Sequence, residues 1–323
     1  MTFKAHWEKT QSTFQLNDHI IRAMIRDAFP KNDIKETHLI SGGCANLNVS
    51  FTLNGLNMPF ILRVYARDDK AIAIEKAIGE QLKDSIPCPE LCHTGSIDGH
   101  RFSIATRLPG ITLRDYLLNS TSPIDYTIMK EVGDMLGTLS QTRYSNPGFF
   151  DETLTPIANS QPPLSSFCLT ALHHPNTQYA LTDQTSKTID AFITEHSDLL
   201  DHNEESCLVH GDFDPANMLV NSSNGKMHVS GILDWEFAFS GSPLWDVSNM
   251  LRYRHQLDPA YQSYFLKGFS SAYSLPEDWE KRIDLYNLAS LLDCLMRYDP
   301  RERPIRMGDI CELTSRIIQA PST

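Results

Sequence analysis

The sequence has no long apolar run and no cluster of basic residues. No stretch approaches the ~18 uninterrupted apolar residues of a membrane-spanning helix, and the polar residues 1–9 lack the apolar core of a secretion signal. Acidic residues outnumber basic residues by 40 to 28, which gives a formal net charge of −12. These absences argue against a nucleic-acid-binding surface, and we expect a cytoplasmic protein that binds neither membranes nor nucleic acids.

Cysteine is present, but without the pattern of a disulfide framework or a metal site. The seven cysteines are scattered, and the one close group is Cys88, Cys92 and His93. No second pair of ligands accompanies this group at the spacing of a zinc site, so we expect reduced thiols. Repeats and low-complexity segments are also absent, and a chain of 323 residues suits two lobes of unequal size.

What is present is a pair of apolar runs that each end in a carboxylate. Residues 207–209 lead to Asp212, and residues 227–233 lead to Asp234. Asn217 stands five positions after Asp212, so these two residues would lie at the two ends of one polar turn. A Ser-Asn-Gly-Lys hairpin turn then predicts a returning strand that brings the second aspartate beside the first.

Phosphoryl transfer from a nucleotide requires these residue types. One aspartate accepts the proton of an attacking hydroxyl, while an asparagine and a second aspartate offer hard oxygen ligands to Mg²⁺. We therefore predict Asp212 as the catalytic base, and Asn217 with Asp234 as the metal ligands. Asn217 and His210 complete the predicted catalytic set. His210 has two interpretations, either a neutral imidazole that anchors the catalytic loop or a general base.

Other roles for the same residues stay open. Asp212 and Asn217 could cap turns and Asp234 a helix, although their joint spacing favours catalysis. A metal-dependent hydrolase could use the two aspartates together with Asp214 and His210, but two-metal sites usually employ more histidine and aspartate ligands. A nucleotide-binding pseudokinase or scaffold without turnover is the third possibility.

The motif resembles the aminoglycoside phosphotransferase and choline kinase family of kinase-like enzymes, and the resemblance covers about residues 39–253. It implies that ATP and Mg²⁺ are the cofactors and that the γ-phosphate moves to a hydroxyl of a small molecule. An aminoglycoside-like compound, an amino alcohol or a sugar would be the acceptor. The residues that carry the resemblance are His210, Gly211, Asp212, Asn217, Asp234, Trp235 and Glu236.

The same resemblance implies an α+β, protein-kinase-like fold with two lobes. A small lobe with an antiparallel sheet would span residues 1–107 and bind the nucleotide. A mainly helical lobe over residues 108–323 would hold the catalytic loop and the acceptor site. Apolar spacing predicts helices over 17–29, 69–83, 111–118, 124–143, 186–200, 279–297 and 308–318, and residues 146–163 are predicted to be a long loop.

Arg63 is the single cation in the apolar strand over residues 59–65. A buried-looking strand with one arginine needs an anionic partner, and Glu75 in the next helical run is the expected carboxylate. In the family this strand offers a basic residue, often lysine, to the α- and β-phosphates. Arginine would bind phosphate through two hydrogen bonds rather than as a point charge. Exposure of Arg63 on the solvent face is the alternative.

Two further segments are assigned to the nucleotide. A glycine-bearing turn between two predicted strands would cover the phosphates, because glycines let backbone N–H groups approach them; an ordinary hairpin is the alternative. The strand that leads into Pro109 would be the hinge whose backbone pairs with adenine, an assignment implied by the resemblance alone. The assigned residues are Gly42, Gly43 and Asn46 in the turn and Thr106, Arg107 and Leu108 in the hinge.

The segment after the second aspartate bears on the acceptor. About a dozen residues separate Asp234 from Asp246, which leaves no room for the long segment that docks a peptide in protein kinases. The family implies that Asp246 braces the catalytic loop, and capping its own helix is the alternative. Asp214, Glu236 and Asp293 together predict an acidic acceptor pocket, unless Asp293 pairs with an internal arginine, Arg297 or Arg303.

Overall fold

A five-stranded antiparallel sheet forms the first third of the chain in the computed structural model, which describes residues 3–8, 16–40, 46–65, 70–201 and 205–319. Its strands are β1 (Ile34–Ile40), β2 (Leu47–Leu53), β3 (Phe60–Val64), β4 (Leu91–Ile97) and β5 (His100–Thr106), in the order β1-β2-β3-β5-β4. Helix α1 (Asp18–Ala28) packs on this sheet through its fully buried Met24 and Ile25.

Strand alternation places the first functional side chain of the sheet. Leu62 and Val64 of β3 are fully buried in the core shared with α1. Because successive side chains of a strand point to opposite faces, Arg63 points away from that core. Helix α2 (Lys70–Leu82) follows β3, and its buried Ile78 belongs to the larger core of the helical half. Arg63 therefore lies between the sheet and the rest of the molecule.

The remainder of the chain is mainly helical, with two small sheets among the helices. Strands β9 (Met218–Ser223) and β10 (Lys226–Ile232) form a hairpin to which β6 (Ile111–Thr112) adds, and β11 (Phe239–Gly241) lies between β7 (Gly148–Phe149) and β8 (Cys207–Val209). The helices are α3 (Leu113–Asn119), α4 (Ile128–Leu139), α5 (Leu164–Leu172), α6 (Pro175–Ala180), α7 (Asp183–Glu195), α8 (Ser197–Asp201), α9 (Leu244–Leu251), α10 (Pro259–Phe269), α11 (Trp279–Arg297) and α12 (Pro304–Gln319).

Two glycines allow α4 and α10 to pack with their backbones in contact. A Cβ atom on Gly133 would collide with the carbonyl oxygen of Phe265, and one on Gly268 would collide with that of Lys130. Neither glycine has a positive φ, so close approach rather than backbone freedom explains the residue type.

The sequence predicted most elements, and the differences have local causes. The predicted helix over 186–200 is interrupted, because α7 ends at Glu195 and α8 begins at Ser197. Helices α5, α6 and α10 and strand β4 were not predicted, since each is short or has a mixed polar pattern. None of the helices in the described ranges is long and apolar enough to span a membrane. The lobe boundary at residues 107 and 108 stays a prediction.

Candidate active site

The β9–β10 hairpin brings the two carboxylate ends of the motif together. Asn224 and Gly225 at its turn have φ values of 51° and 76°, the positive values that a type I′ turn requires. On the returning side, the N–H of Leu233 donates to the carbonyl of Asn217 at 2.9 Å. Asp234 comes next in a left-handed conformation with φ 69°, which is uncommon for a residue other than glycine.

Asn217 holds Asp212 from one side. Its Nδ2 donates to the backbone oxygen of Asp212 at 2.9 Å and to the carboxylate Oδ2 at 3.0 Å. The carboxamide oxygen of Asn217 is then the side-chain atom left for a cation. Burial alone would raise the pKa of Asp212, but the positive charges of Lys4 and Arg252 lower it below its ordinary value. Asp212 is therefore ionised at neutral pH, as a proton acceptor must be.

Both ring nitrogens of His210 are engaged with the backbone. Nε2 lies 2.9 Å from the carbonyl oxygen of Leu233, and the N–H of Asp212 donates to Nδ1 at 3.2 Å. The ring is fully buried against Trp235, and burial lowers the pKa of His210. A neutral tautomer with its proton on Nε2 satisfies both bonds. This geometry favours the anchoring interpretation, because no nitrogen remains to act as a base.

Asp246 lies beneath the catalytic loop. Its Oδ2 accepts the N–H of His210 at 2.7 Å, and its Oδ1 accepts that of Gly211 at 3.0 Å. The side chain is fully buried, and burial raises its pKa to about 7 while the backbone donors act in the opposite direction. Gly211 has φ 86°, and a Cβ there would collide with the carbonyl oxygen of Phe237. The loop conformation thus depends on this glycine and this carboxylate together.

Arg63 joins the sheet to the motif through two carboxylates. Its Nη1 lies 2.6 Å from Glu75 Oε1 and 3.0 Å from Asp234 Oδ1, and its Nε donates to Asn48 Oδ1 at 3.3 Å. Burial opposes the charge, but Glu75 and Asp234 outweigh it and raise the pKa of Arg63. Tyr65 donates to the second oxygen of Glu75 at 2.7 Å. The expected partner of Arg63 is in place, and the solvent-face alternative is wrong.

Glu236 adds a third carboxylate to this group. Nδ2 of Asn46 donates to Glu236 Oε2 at 3.3 Å, so this residue of the predicted phosphate turn contacts the motif. Burial, together with the negative charge of Asp234, raises the pKa of Glu236 to about 7. Gly42 and Gly43, which were predicted to cover the phosphates, lie outside the described residues.

The donors around Asp234 suit a divalent cation bound with a nucleotide. Within the described ranges, no group of three or more His, Cys, Asp or Glu side chains is arranged to enclose a metal. Asn217 and Asp234 offer two hard oxygen donors, and Mg²⁺ typically takes its remaining ligands from phosphates and water. Burial and, after it, the negative charge of Asp234 raise the pKa of Glu236, and a bound cation would offset both effects.

Within the described part of the chain, the predicted hinge has one N–H group without a hydrogen-bond partner. Thr106 N donates to the carbonyl of Glu90 and Arg107 N to that of Pro59, both at 3.0 Å. The N–H of Leu108 has no hydrogen-bond acceptor among the residues that the structure describes. Among the three hinge residues, Leu108 is therefore the one that could donate to a base.

Lys4 is a site residue that the sequence did not indicate. Its ammonium donates to Asp214 Oδ2 and lies 3.4 Å from Asp212 Oδ1, and its side chain is only 19% exposed. Burial opposes its charge, but the two aspartates raise the pKa of the amine. A lysine 208 residues away from its partner belongs to no motif, so only the folded structure reveals it.

The acidic-pocket prediction needs correction. Asp293 pairs with Arg297 one helical turn away, at 2.9 Å between Oδ1 and Nε, which was the alternative interpretation. Glu236 lies with Asp234 and Arg63 rather than on the acceptor side. Asp214 is neutralised by Lys4. The three carboxylates therefore do not form one acidic surface.

Solved structures establish the fold. The aminoglycoside phosphotransferase APH(4)-Ia matches with a TM-score of 0.72 and 18% identity, over 95% of this chain and 100% of that chain. The GDP and kanamycin complex of APH(2″)-IIIa matches with a TM-score of 0.66 and 15% identity, over 92% and 97%. A putative fructosamine-3-kinase from Haemophilus somnus 129PT matches with a TM-score of 0.58 and 18% identity, over 93% and 97%. The protein-kinase-like two-lobe fold predicted from the sequence is confirmed.

Sequence comparison with curated proteins gives one partial relative. The chain is 25% identical over 184 residues to Acyl-CoA dehydrogenase family member 11 of Rattus norvegicus, and the match covers 56% of this chain and 22% of that protein. The chain thus spans less than a quarter of the length of that relative. The profile of the APH group, described as the phosphotransferase enzyme family, matches residues 36–284. This protein belongs to the phosphotransferase enzyme family.

Proposed function

We propose that this protein transfers the γ-phosphoryl group of ATP to a hydroxyl group of a small molecule. The observation that carries the proposal is the arrangement of Asp212, Asn217 and Asp234. One oxygen of an ionised Asp212 is held by the asparagine, while the second carboxylate stands beside the arginine proposed to bind phosphate. A pseudokinase or scaffold without turnover would not need Asp212, Asn217 and Asp234 together.

In the proposed reaction, Oδ1 of Asp212 accepts a hydrogen bond from the acceptor hydroxyl. The hydroxyl oxygen attacks the γ-phosphorus in line, the bond from that phosphorus to the ADP oxygen breaks, and Asp212 takes the proton. Proton transfer comes late in such reactions, so a carboxylate of low pKa is a sufficient base. Asn217 keeps the carboxylate from rotating, since its Nδ2 bonds both the side chain and the backbone of Asp212.

Arg63 would bind phosphate oxygens of the nucleotide. Its guanidinium is held in place by Glu75 and Asn48, so little side-chain entropy remains to be lost on binding. Asn217 and Asp234 would hold Mg²⁺, which neutralises phosphate charge when bound. Glu75, Asn46, Gly42 and Gly43 would act around the phosphates, and Thr106, Arg107 and Leu108 around the base. Of the last three, Leu108 has the available N–H.

The choice of ATP and of a small acceptor is supported by related structures. Thermostable mutants of APH(4)-Ia have been solved as ternary complexes with ADP and hygromycin B, and with AMP-PNP and hygromycin B. APH(2″)-IIIa has been solved with GDP and kanamycin. We infer an adenine nucleotide and an acceptor that is an aminoglycoside-like compound, an amino alcohol or a sugar. GTP is the competing nucleotide that an experiment must include.

His210 argues against the hydrolase alternative. A metal-dependent hydrolase built on these aspartates would need the imidazole as a ligand. Both of its nitrogens are instead bonded to the backbone, one to Leu233 and one to Asp212. The shared aspartates are therefore better explained by phosphoryl transfer.

A product assay tests the proposal. Purified protein would be incubated with Mg²⁺ and ATP or GTP, alone and with kanamycin, ethanolamine or glucose, and both ADP or GDP release and the phosphorylated acceptor would be measured. We expect nucleoside diphosphate release to depend on an added alcohol and to match the phosphorylated product. Asp84→Asn changes an exposed carboxylate in the turn that follows α2 and is the control for substitutions at Asp212. Nucleotide hydrolysis to inorganic phosphate alone would contradict the proposal.

A further inference from the structure

Residues 3–8, which we call the docked segment, pack against the helical half next to the catalytic loop. The ring of Phe3 is 3% exposed, and its centroid lies 5.6 Å from that of Tyr253 and 6.4 Å from that of Tyr261. Phe3 belongs to the main hydrophobic core of the helical half. The segment is therefore anchored by a buried aromatic side chain and does not lie loosely on the surface.

Polar contacts fix the other end of the docked segment on α12. Trp7 Nε1 donates to Asp309 Oδ2 at 2.7 Å. The carboxylate of Glu8 accepts the backbone N–H groups of Ile305 and Arg306 at 2.6 and 3.0 Å, which caps the first turn of α12. With both ends held, the side chain between them has a defined position.

Lys4 is that side chain, and it covers the open oxygen of the proposed base. Its ammonium contacts Asp214 Oδ2 and lies 3.4 Å from Asp212 Oδ1, the oxygen that Asn217 leaves free. An acceptor hydroxyl must reach the same oxygen for its proton to be taken. The docked segment and the acceptor thus compete for one place.

Arg252 provides a second positive charge near this place. Its guanidinium is bound only by neutral groups among the described residues: Asn249 Oδ1, Asn287 Oδ1 at 3.0 Å and Ser290 Oγ at 2.9 Å. Its charge nevertheless acts on Asp212. Arg252 is 8% exposed and held on two sides, so it stays where it is when an acceptor enters.

The charges of this group balance only while Lys4 is present. Asp212 and Asp214 are the two negative members, and Lys4 and Arg252 are the two positive members. The side chain of Asp214 is 8% exposed, so withdrawal of Lys4 would leave a buried carboxylate without its cation. An unpaired buried charge is strongly unfavourable, whereas a neutral hydroxyl forms only a weaker hydrogen bond to it.

We infer that Lys4 is a tethered stand-in for an ammonium group of the acceptor and that it selects acceptors by charge. The inference rests on the proposed function. An acceptor with an ammonium next to its reacting hydroxyl can replace Lys4 on Asp214 and place that hydroxyl on Asp212 in the same movement. A neutral polyol can reach Asp212 only by leaving Asp214 unpaired. Lys4 therefore competes with every acceptor, and only an acceptor with an ammonium restores a cation to the Asp214 carboxylate that the withdrawal of Lys4 leaves unpaired.

Calorimetric binding tests this inference without relying on turnover. Glucosamine and glucose form a matched pair that differs in one ammonium group, and kanamycin adds several ammonium groups. Titrations would use the full chain with Mg²⁺ and a non-hydrolysable ATP analogue. We expect Lys4→Met to bind glucosamine and kanamycin at least about fivefold more tightly than the wild type, the scale of one partly buried ion pair. The affinity for the ATP analogue should not change.

Controls separate competition from loss of structure. Lys226→Met removes an exposed lysine at the β9–β10 turn and should leave all of the affinities as in the wild type. Lys4→Gln is a second variant in case the first unfolds the docked segment. Unchanged or weaker binding of the amines by a folded Lys4 variant would overturn the inference, as would a lack of amine binding by every protein.

The fluorescence of Trp7 gives an independent readout of Lys4 withdrawal. The ammonium of Lys4 lies 5.8 Å from the centroid of the Trp7 ring, so its departure changes the surroundings of the indole. We expect kanamycin to change the emission of the wild type, and Trp7→Phe to lose that change. Amine binding without any emission change assigned to Trp7 would contradict displacement. If no acceptor is phosphorylated at all, the proposed function fails, and these two binding results still decide the role of Lys4.

Discussion

The predicted catalytic loop has two sides, which we call the proposed phosphate side and the proposed acceptor side, and negative charge is compensated differently on each. On the proposed phosphate side, three carboxylates (Glu75, Asp234 and Glu236) share Arg63, and the pKa of Glu236 rises to about 7. On the proposed acceptor side, Asp212 and Asp214 face Lys4 and Arg252, and the pKa of Asp212 falls below its ordinary value. Among the residues that the structure describes, the first side has a surplus of negative charge and the second is balanced.

The difference indicates which partner each side requires from outside. The surplus on the proposed phosphate side favours the binding of a cation, and Mg²⁺ that also contacts the phosphates of ATP would supply it. The balance on the proposed acceptor side is supplied by the chain itself, so an acceptor must exchange with Lys4. Carboxylates would therefore attract Mg²⁺ on the proposed phosphate side and discriminate between acceptors on the proposed acceptor side.

The largest expected effect comes from removing the proposed base on the balanced side. Asp212→Asn keeps the shape of the side chain but loses the proton acceptor, and we expect kcat to fall by ~10²-fold or more. Binding of ATP should stay within about twofold, because Asp212 faces the acceptor. Steady-state kinetics and calorimetry measure the two quantities, with Asp84→Asn as the control. Near wild-type kcat would remove Asp212 from the mechanism.

A substitution at Asp234 tests the surplus of negative charge on the proposed phosphate side. Asp234→Asn removes one of the three carboxylates, and we expect the Mg²⁺ concentration needed for half-maximal ATP binding to rise by about tenfold or more. The measurement is ATP affinity titrated against Mg²⁺. Glu90→Gln, an exposed carboxylate near the hinge, serves as the control. If the Mg²⁺ dependence were unchanged, Asp234 would have a structural role, and the surplus of negative charge would not explain cation binding.

Asp246 tests whether the loop between the two sides is held from below. Asp246→Asn replaces one acceptor oxygen with an NH₂ group that faces a backbone N–H, and we expect a loss of ~1–3 kcal/mol in the free energy of unfolding. Because the loop carries the base, kcat should fall as well. Urea unfolding and kinetics of the same preparation measure both. Full stability with full activity would show that the brace is dispensable.

His210 gives the smallest expected effect, on the acid side of the stability profile. Its pKa is lowered in the folded state, so the unfolded chain binds a proton first as the pH falls below about 6.5. The stabilising contribution of the neutral ring is therefore complete above that pH and is lost as the pH falls toward the folded pKa. Urea unfolding between about pH 7.5 and 5.5 measures this loss. The free energy of unfolding should change less with pH for His210→Gln than for the wild type. Equal slopes would mean that the ring is not buried as a neutral group.

The sequence predicted the proposed phosphate side better than the proposed acceptor side, and the reason is spacing. Asp234 follows a strand whose hairpin turn is visible as Asn-Gly, and Arg63 interrupts an apolar strand just before the helix that holds Glu75. Local periodicity carries such information. The contact between Lys4 and Asp212 joins residues 208 positions apart, and no local pattern encodes it.

The acidic pocket failed as a prediction for a related reason. A carboxylate on an apolar helix needs a partner, and for Asp293 the partner is Arg297 one turn away, the alternative to a place in an acceptor pocket. Net composition gives the number of charges and not their partners. The partners of the acidic residues are therefore known only from the folded structure, whereas the two-lobe architecture could be predicted from the sequence.

The most direct test of the central claim is the identity of the phosphorylated product. The protein would be incubated with Mg²⁺, ATP and each candidate acceptor, and ³¹P NMR would follow the γ-phosphorus in the wild type and in Asp212→Asn. We expect a phosphate ester on an acceptor hydroxyl, formed in step with ADP and lost in the variant. Inorganic phosphate as the sole product, or an ester formed equally well by Asp212→Asn, would contradict it.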